Sequence, residues 1–246
     1  MPAKGRSQAK HEPKHSILLL TYKRADFVEA RVNEIAHFYA PLKDVELIVV
    51  DNGSTDTKMN MMFYSLAQQA SLNDWQMQYW THRINENIGF GNGWNQSVHL
   101  ANGEIVHLLS DDVRVFGDFI RPVSAALDNA PWALIGERMI NYPAGWNQFG
   151  DDMPIAYLMG HYLAMRKETG EKLEGFDERY TPYDYEDVDL SMKAVKAGMP
   201  LIQLNLPMEH LAAGTIGYNT ERYEHTCKMR AKFAEKWGLE NFPKRP

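Results

Sequence analysis

The chain has 246 residues, 44% hydrophobic and 24% charged, with a formal net charge of −6. That suits one large α/β domain or two small ones with a true core, and it excludes a built-in long-range attraction to nucleic acid or to an anionic membrane. The single cysteine, Cys227, excludes an internal disulfide and fits a reducing compartment, so a cytoplasmic location is expected.

The first fourteen residues hold Lys4, Arg6, Lys10 and Lys14 against Glu12, without apolar periodicity. They read as a disordered basic tail, not a secretory signal. No apolar run is long enough to span a bilayer. "SILLLTY" (16–22) reads as a buried strand, followed by a helix over 26–39. "VELIVVD" (45–51) is a second strand of the kind covered on both faces, followed by a helix over 58–70. "WQMQYWT" (75–81) alternates as a third strand does. A helix over 90–100 and a strand "EIVHLL" (104–109) come next. This alternation predicts parallel βαβ units. The second half is more mixed. The pattern predicts a helix over 118–128, strands near 132–136 and 157–165, and a helix over 186–197 ending at Gly198. A short strand "LIQLNL" (201–206) and a final helix over 218–237 complete it. Tyr223, Cys227, Arg230, Phe233 and Trp237 form a stripe on that helix, expected to face the core or a homodimer contact, with Cys227 a packed thiol.

Five segments carry chemistry. In "VVDNGSTD" (49–56), Asp51 ends a strand, where open α/β sheets bind ligands. Its carboxylate suits a ring N–H or a ribose hydroxyl; the plainer alternative is an Asn52-Gly53 turn with Asp56 capping a helix. In "NENIGFGNGWNQSV" (85–98), glycines let backbone approach a ligand, and a helix starting near Phe90 would aim N–H groups at phosphate. It is neither a Walker loop nor a clean dinucleotide fingerprint. Asp111 and Asp112 follow a central strand. Two adjacent carboxylates repel, and a divalent cation such as Mg²⁺ or Mn²⁺ relieves this; a solvated turn is the alternative. Asp118 reads as a helix-start acid. In "GFDERYTPYDYEDVDLSMKAVKAG" (175–198), six acids lie among Tyr180, Tyr183 and Tyr185. Helix-start electrostatics explains one or two of them, and a pocket acid there suits a general base. His210 follows a short strand, and beside a carboxylate metal site it is a candidate ligand.

In order, "SILLLTYKR", "ELIVVDNGSTD", "NENIGFGNGWNQ", "GEIVHLLSDDV", "GFDERY", "YEDVDLSMKAVKAG" and "EHLAAGT" resemble the family 2 glycosyltransferases of GT-A fold, over about residues 16–215. The nearest likeness is to compact rhamnosyl- and galactofuranosyl-transferase-like members. The resemblance implies a Rossmann-like nucleotide-binding half with a mostly parallel sheet (about 15–113), a mixed acceptor half (about 114–217) and a C-terminal helix. It implies that Asp51, with Asn52 beside it, contacts the base or ribose of a nucleotide-sugar. Thr21, Arg24, Asn87 and Gly89 then lie on nucleotide-side loops. Ser110-Asp111-Asp112 occupies the place of the Asp-X-Asp motif, with a serine at its first position. Asp112 and His210 are implied as ligands of Mn²⁺ or Mg²⁺, with Asp111 assisting at the nucleotide-sugar. Asp187 is implied as the catalytic base, with Glu186 beside it. The expected reaction is inverting transfer from a nucleotide-diphosphate sugar to a hydroxyl of a glycan, a lipid-linked glycan or another acceptor such as a modified nucleic-acid base. Two rivals remain. A nucleotidyltransferase that makes nucleotide-sugars would carry a glycine-rich loop where this chain has "TYKRADF". A non-catalytic protein of the same fold is the other, and Ser110 gives it some support.

Overall fold

The computed structural model describes residues 12–140, 156–211 and 219–239. Most of the expected tail, the end of "EHLAAGT" and Tyr218 lie outside those residues. In chain order the elements are β1 (His15–Thr21), α1 (Ala25–Tyr39), β2 (Val45–Asp51), α2 (Thr57–Leu72), β3 (Gln78–Arg83), α3 (Phe90–Leu100) and β4 (Ile105–Ser110). Then follow β5 (Val113–Val115), α4 (Ile120–Asn129), β6 (Leu134–Gly136), β7 (Met139–Ile140), β8 (Tyr157–Leu158), β9 (Tyr162–Arg166) and α5 (Lys167–Lys172). The last are α6 (Glu186–Lys196), β10 (Leu201–Gln203), β11 (Met208–His210) and α7 (Thr220–Trp237).

Seven strands form one sheet in the order β10-β6-β9-β4-β1-β2-β3. The chain runs outward from β1 through β2 to β3, then returns to place β4 on the other side of β1, all parallel. The gap beyond the carboxyl ends of β1 and β4 is therefore the topological switch point, the usual ligand crevice of such sheets. β9 enters antiparallel to β4, so its start meets the end of β4. The mostly parallel, doubly covered sheet is the architecture expected from the alternating pattern.

Apolar β1 and β2 residues alternate between two cores, which is why both strands read as continuous hydrophobic runs. Ile17, Leu19, Leu47 and Val49 face the layer holding α1, α2 and α4. Leu18, Leu20, Ile48 and Val50 pack with Trp94 of α3 and Leu190 of α6.

Several boundaries differ from expectation. The strand expected over 157–165 is two, β8 and β9, broken at a turn around Gly160 and His161. The third strand begins at Gln78, and "LIQLNL" is extended only over Leu201–Gln203. α4 starts at Ile120, with Asp118 accepting from the Ile120 and Arg121 amides, so the acid caps the helix from outside. α7 turns in only part of the expected stripe: Phe233 is buried and Trp237 packs against the same cluster, but the other buried residues are Thr226 and Met229, while Tyr223 and Cys227 are exposed. The first half of the stripe is displaced because the Thr226 hydroxyl turns in to donate to half-buried Asp184, and the thiol is not packed. Among the described residues no helix is long and apolar enough to cross a membrane.

Candidate active site

The site begins where β1, β2 and β4 end. Register puts Thr21 opposite Asp51 and Leu20 opposite Ser110, so three sequence-distant loops leave the sheet side by side. Asp51 is fully buried. Its Oδ1 accepts from the Ser54 amide (3.0 Å) and hydroxyl, and its Oδ2 from Arg83 Nε (2.7 Å). Arg83 escaped the sequence reading. Its signal is the parallel register, which sets Arg83 opposite Asp51 once β2 and β3 are aligned. One Arg83 amino nitrogen, Nη2, is buried without a protein partner.

Asn52 locks the loop after β2 to the loop before α3. Its amide donates to the Gly89 carbonyl (3.0 Å) and Asn87 Oδ1 (3.2 Å), and its Oδ1 accepts from the Ile88 amide (3.1 Å). Gly53, at φ 84°, lies so close to the Glu86–Asn87 backbone that a Cβ would approach within 2.3 Å. Only glycine allows this approach. Asn87 and Gly89 thus stand beside Asp51 as expected, but Asn87 Oδ1 is spent on Asn52 and on the Gly89 amide. The first amide of α3, Phe90 N–H, donates to the Pro182 carbonyl (2.7 Å) and is not free for phosphate. The amino end of α3 is instead tied to the acid-rich loop.

The adjacent aspartates diverge. Asp111 is buried and accepts from the Thr21 hydroxyl at 2.7 Å. Burial, with the charge of Asp112 added, pushes its carboxyl up to about 6 despite Thr21 and the facing charge of Arg24. Asp112 is buried enough to be pushed the same way, yet hydrogen bonding and charge from His210, then Arg24, hold it below its ordinary value. Asp112 Oδ2 and His210 Nε2 are 3.4 Å apart. They meet because β11 pairs antiparallel with β5, setting His210 opposite Val113. Arg24 leads into α1 with its guanidinium over the Phe27 ring, 3.6 Å from the centroid.

Burying an ionised carboxylate costs stability, and Asp111 exposes that cost. Between about pH 4 and 6 the folded carboxyl retains a proton that the unfolded one, near 3.8, has lost. Its penalty is therefore absent below that window and complete above it. Asp111→Asn keeps an acceptor for Thr21 and removes the charge. It is expected to stabilise the protein at pH 7.5 by up to about 3 kcal/mol, an advantage that vanishes near pH 4. Thermal unfolding of both proteins at the two pH values measures this.

Two further residues stand beside the Asp112–His210 pair. The His161 ring stacks on His210 with centroids 4.3 Å apart and planes 8° from parallel. His161 Nε2 lies 3.0 Å from Glu137 Oε2. Neither was legible beforehand, because His161 lies in what read as an unbroken strand and Glu137 in a loop. The signal available was the small-residue break at Gly160. Among the described residues no three His, Cys, Asp or Glu side chains converge as a ready metal cage. Asp112 and His210 are two donors, which fits Mn²⁺ or Mg²⁺, since these ions commonly take one or two protein ligands and complete their shell with substrate phosphates and water.

Gly160 also reaches an acid of α6, while His161 ties to the end of β4. The Gly160 amide donates to Asp187 Oδ2 (2.8 Å), the Val188 amide to Asp187 Oδ1 (2.8 Å), and the Ser110 amide to the His161 carbonyl (3.0 Å). A Cβ on Gly160 would press to 3.2 Å from Asp187 Cβ, so a small residue is needed here. Glu186 is buried, and its Oε2 has no protein partner. Burial first, then the charge of Asp187, pushes the Glu186 carboxyl well above its ordinary value. Burial also raises Asp187, to about 6, against the pull of its two amide donors. Asp189, one turn on, is not free for chemistry, since it accepts from Tyr180 Oη (3.1 Å), Lys236 Nζ (2.7 Å) and Trp237 Nε1 (2.9 Å). Tyr180 and Tyr185 are buried and Tyr183 packs on His225, so these rings serve packing rather than an open sugar platform.

Residues 16–185 match the family described as glycosyl transferase family 2. Among solved structures, the mannosyltransferase PcManGT from Pyrobaculum calidifontis, in complex with GDP-Man and Mn²⁺, shares the fold at a TM-score of 0.65 and 20% identity, covering 96% of this chain and 66% of that one. S. aureus TarS 1-349 in complex with UDP matches at 0.60 and 15%, covering 89% and 64%. GalNAc-T7 with UDP, GalNAc and Mn²⁺ matches at 0.65 and 13%, covering 90% and 48%. The chain thus spans from about half to two thirds of the length of these proteins. None of the curated proteins matches it in sequence. With the family matched over most of its length and the GT-A fold present, the chain belongs to glycosyltransferase family 2.

Proposed function

We propose that the protein transfers a sugar from a nucleoside-diphosphate sugar to an acceptor hydroxyl with inversion at the anomeric carbon, and that Asp187 is the base. One observation carries this reading. Asp187, with its carboxyl near 6, is held by two backbone amides, one of them from Gly160, whose chain neighbour His161 stacks on His210 of the Asp112–His210 pair. A base of that strength is largely ionised at neutral pH and still able to accept a proton.

Asp51 and the Arg83 guanidinium offer an acceptor and a donor to the base or ribose. Asp112 and His210 would hold a divalent cation. When bound, that ion would supply positive charge to the diphosphate leaving group. Asp187 removes the proton of the acceptor hydroxyl as its oxygen bonds to the anomeric carbon, and the bond from that carbon to the diphosphate oxygen breaks. A single displacement from the opposite face inverts the configuration. Glu186 lies next to the base, and burial, with the charge of Asp187, pushes its carboxyl well above its ordinary value, which favours its uncharged form. The PcManGT and GalNAc-T7 complexes with Mn²⁺ and a nucleotide-sugar or its parts support a donor and metal of this class. Nothing favours the nucleotidyltransferase alternative, since the loop after β1 reads "TYKR" without glycine.

The test is a screen of nucleotide-sugars with Mn²⁺ by thermal shift, in which a donor at about a hundred times its dissociation constant adds about 2.7 kcal/mol. NMR of the transferred anomeric proton then reads the stereochemistry. Retained configuration would sink the single-displacement mechanism. The pH profile adds a second check. The active form of Asp187 is the ionised one, so kcat/KM is expected to be level above about pH 6 and to fall about tenfold per unit below it.

A further inference from the structure

The turn that delivers Glu186 and Asp187 is held from outside the segment that matches the family. That match ends at residue 185, whereas α7 begins at Thr220. Asp184 and Tyr185 both have φ 73°, two consecutive side-chain-bearing residues in the left-handed region. Such backbone persists only where the surroundings over-determine it. Here α7 supplies a partner to each residue of the turn. His225 Nε2 lies 2.7 Å from the Tyr183 carbonyl. Asp184 is gripped at both oxygens, by Arg222 Nη2 (3.2 Å) and by the Thr226 hydroxyl. The Tyr185 ring packs on Phe233 with centroids 5.6 Å apart.

We infer that Arg222 and Thr226 are positioning residues: they hold Asp184 so that Glu186 and Asp187 enter α6 aimed at the reaction centre. The inference rests on the reading of Asp187 as the base. Ordinary helix packing does not account for the arrangement, because an apolar contact would anchor α7 without a left-handed pair before the acids. α7 is moreover fixed at its far end by Lys236 and Trp237 on Asp189, so its attachment does not depend on Asp184. Arg222 also offsets the charge of Asp184, which otherwise adds to the repulsion felt by the two acids.

The experiment uses the full chain as wild type, Arg222→Ala, Arg222→Lys, Thr226→Val and Asp187→Asn. Arg222→Ala is expected to lower kcat by roughly 10²-fold, the cost of misplacing a catalytic group by about an ångström, with donor KM within about twofold of wild type. Arg222→Lys should recover part of that loss, and Thr226→Val, which removes only a hydroxyl, should lose about tenfold. Hydrogen exchange in a peptide spanning residues 180–188 should quicken in Arg222→Ala and Thr226→Val. Unchanged kcat in both variants beside an inactive Asp187→Asn would overturn the positioning role. An active Asp187→Asn would instead remove the base reading, and unaltered exchange across the turn would then remove the clamp as well. If Arg222→Ala does not fold, Thr226→Val carries the same readouts.

Discussion

Asp187→Asn is expected to lower turnover by about 10²–10⁴-fold, the ordinary worth of one general base, while leaving donor binding close to wild type. The geometry explains the separation of effects. Asp187 is fixed by the Gly160 and Val188 amides in the first turn of α6, whereas the proposed nucleotide side of the crevice is built on the ends of β1 and β2. Asparagine retains an oxygen for one of the two amides but cannot take a proton from a hydroxyl. It also relieves Glu186 of its neighbour's charge, so the variant should be at least as stable as wild type. Steady-state kinetics, paired with donor titration by thermal shift, reads both quantities. Near-normal turnover with unchanged donor affinity would move the base elsewhere, and Glu186, buried with one unpartnered oxygen, would be the next residue to replace.

Asp112→Ala is expected to act on the other half of the reaction. It leaves His210 as the sole side-chain donor of the proposed pair and removes the carboxylate that stands 3.4 Å from it. If affinity for a donor with Mn²⁺ falls a hundredfold, a concentration that gives wild type about 2.7 kcal/mol of stabilisation gives the variant only about 0.4 kcal/mol. Turnover at that concentration should fall at least as steeply. Donor binding without metal should change far less, so the Mn²⁺-dependent increment is the informative quantity. An increment equal to that of wild type would show that Asp112 holds no metal.

The neighbouring carboxylates respond differently to the same burial, which links these predictions to the fold. Asp111 faces Thr21 and is pushed up to about 6, whereas Asp112 faces His210 and is held down. Glu186 and Asp187 are both raised by burial, but unequally, Glu186 well above its ordinary value and Asp187 to about 6. In both pairs different surroundings set the strengths of two adjacent acids apart.

Much of the architecture was legible in the chain itself. β1 and β2 read as continuous apolar runs because they lie between two helical layers, and the alternation of such runs with helical periods specifies a parallel sheet. The loops that follow those strands had to lie at the carboxyl edge, so Asp51 and Asp111–Asp112 were legible as strand-end acids, whereas the place of Thr21 beside them was implied only by the family resemblance. Local signals also sufficed for caps, as at Asp56, whose side chain accepts from the Met59 amide.

What tertiary structure alone decided was every relationship with no local period. The meeting of Asp112 with His210 depends on the pairing of β5 and β11, strands of three residues each, too short to show alternation. The stack of His161 on His210, the pairing of Arg83 with Asp51 and the grip of α7 on Asp184 join residues far apart in sequence. In the first half of α7 the inward position is Thr226 rather than Cys227, because the Thr226 hydroxyl donates to half-buried Asp184. Sequence by itself determines how each segment prefers to fold, since those preferences arise from contacts a few residues apart. Which acid keeps its proton is set by burial and by charges brought in from distant strands and helices, and these exist only once the chain has packed.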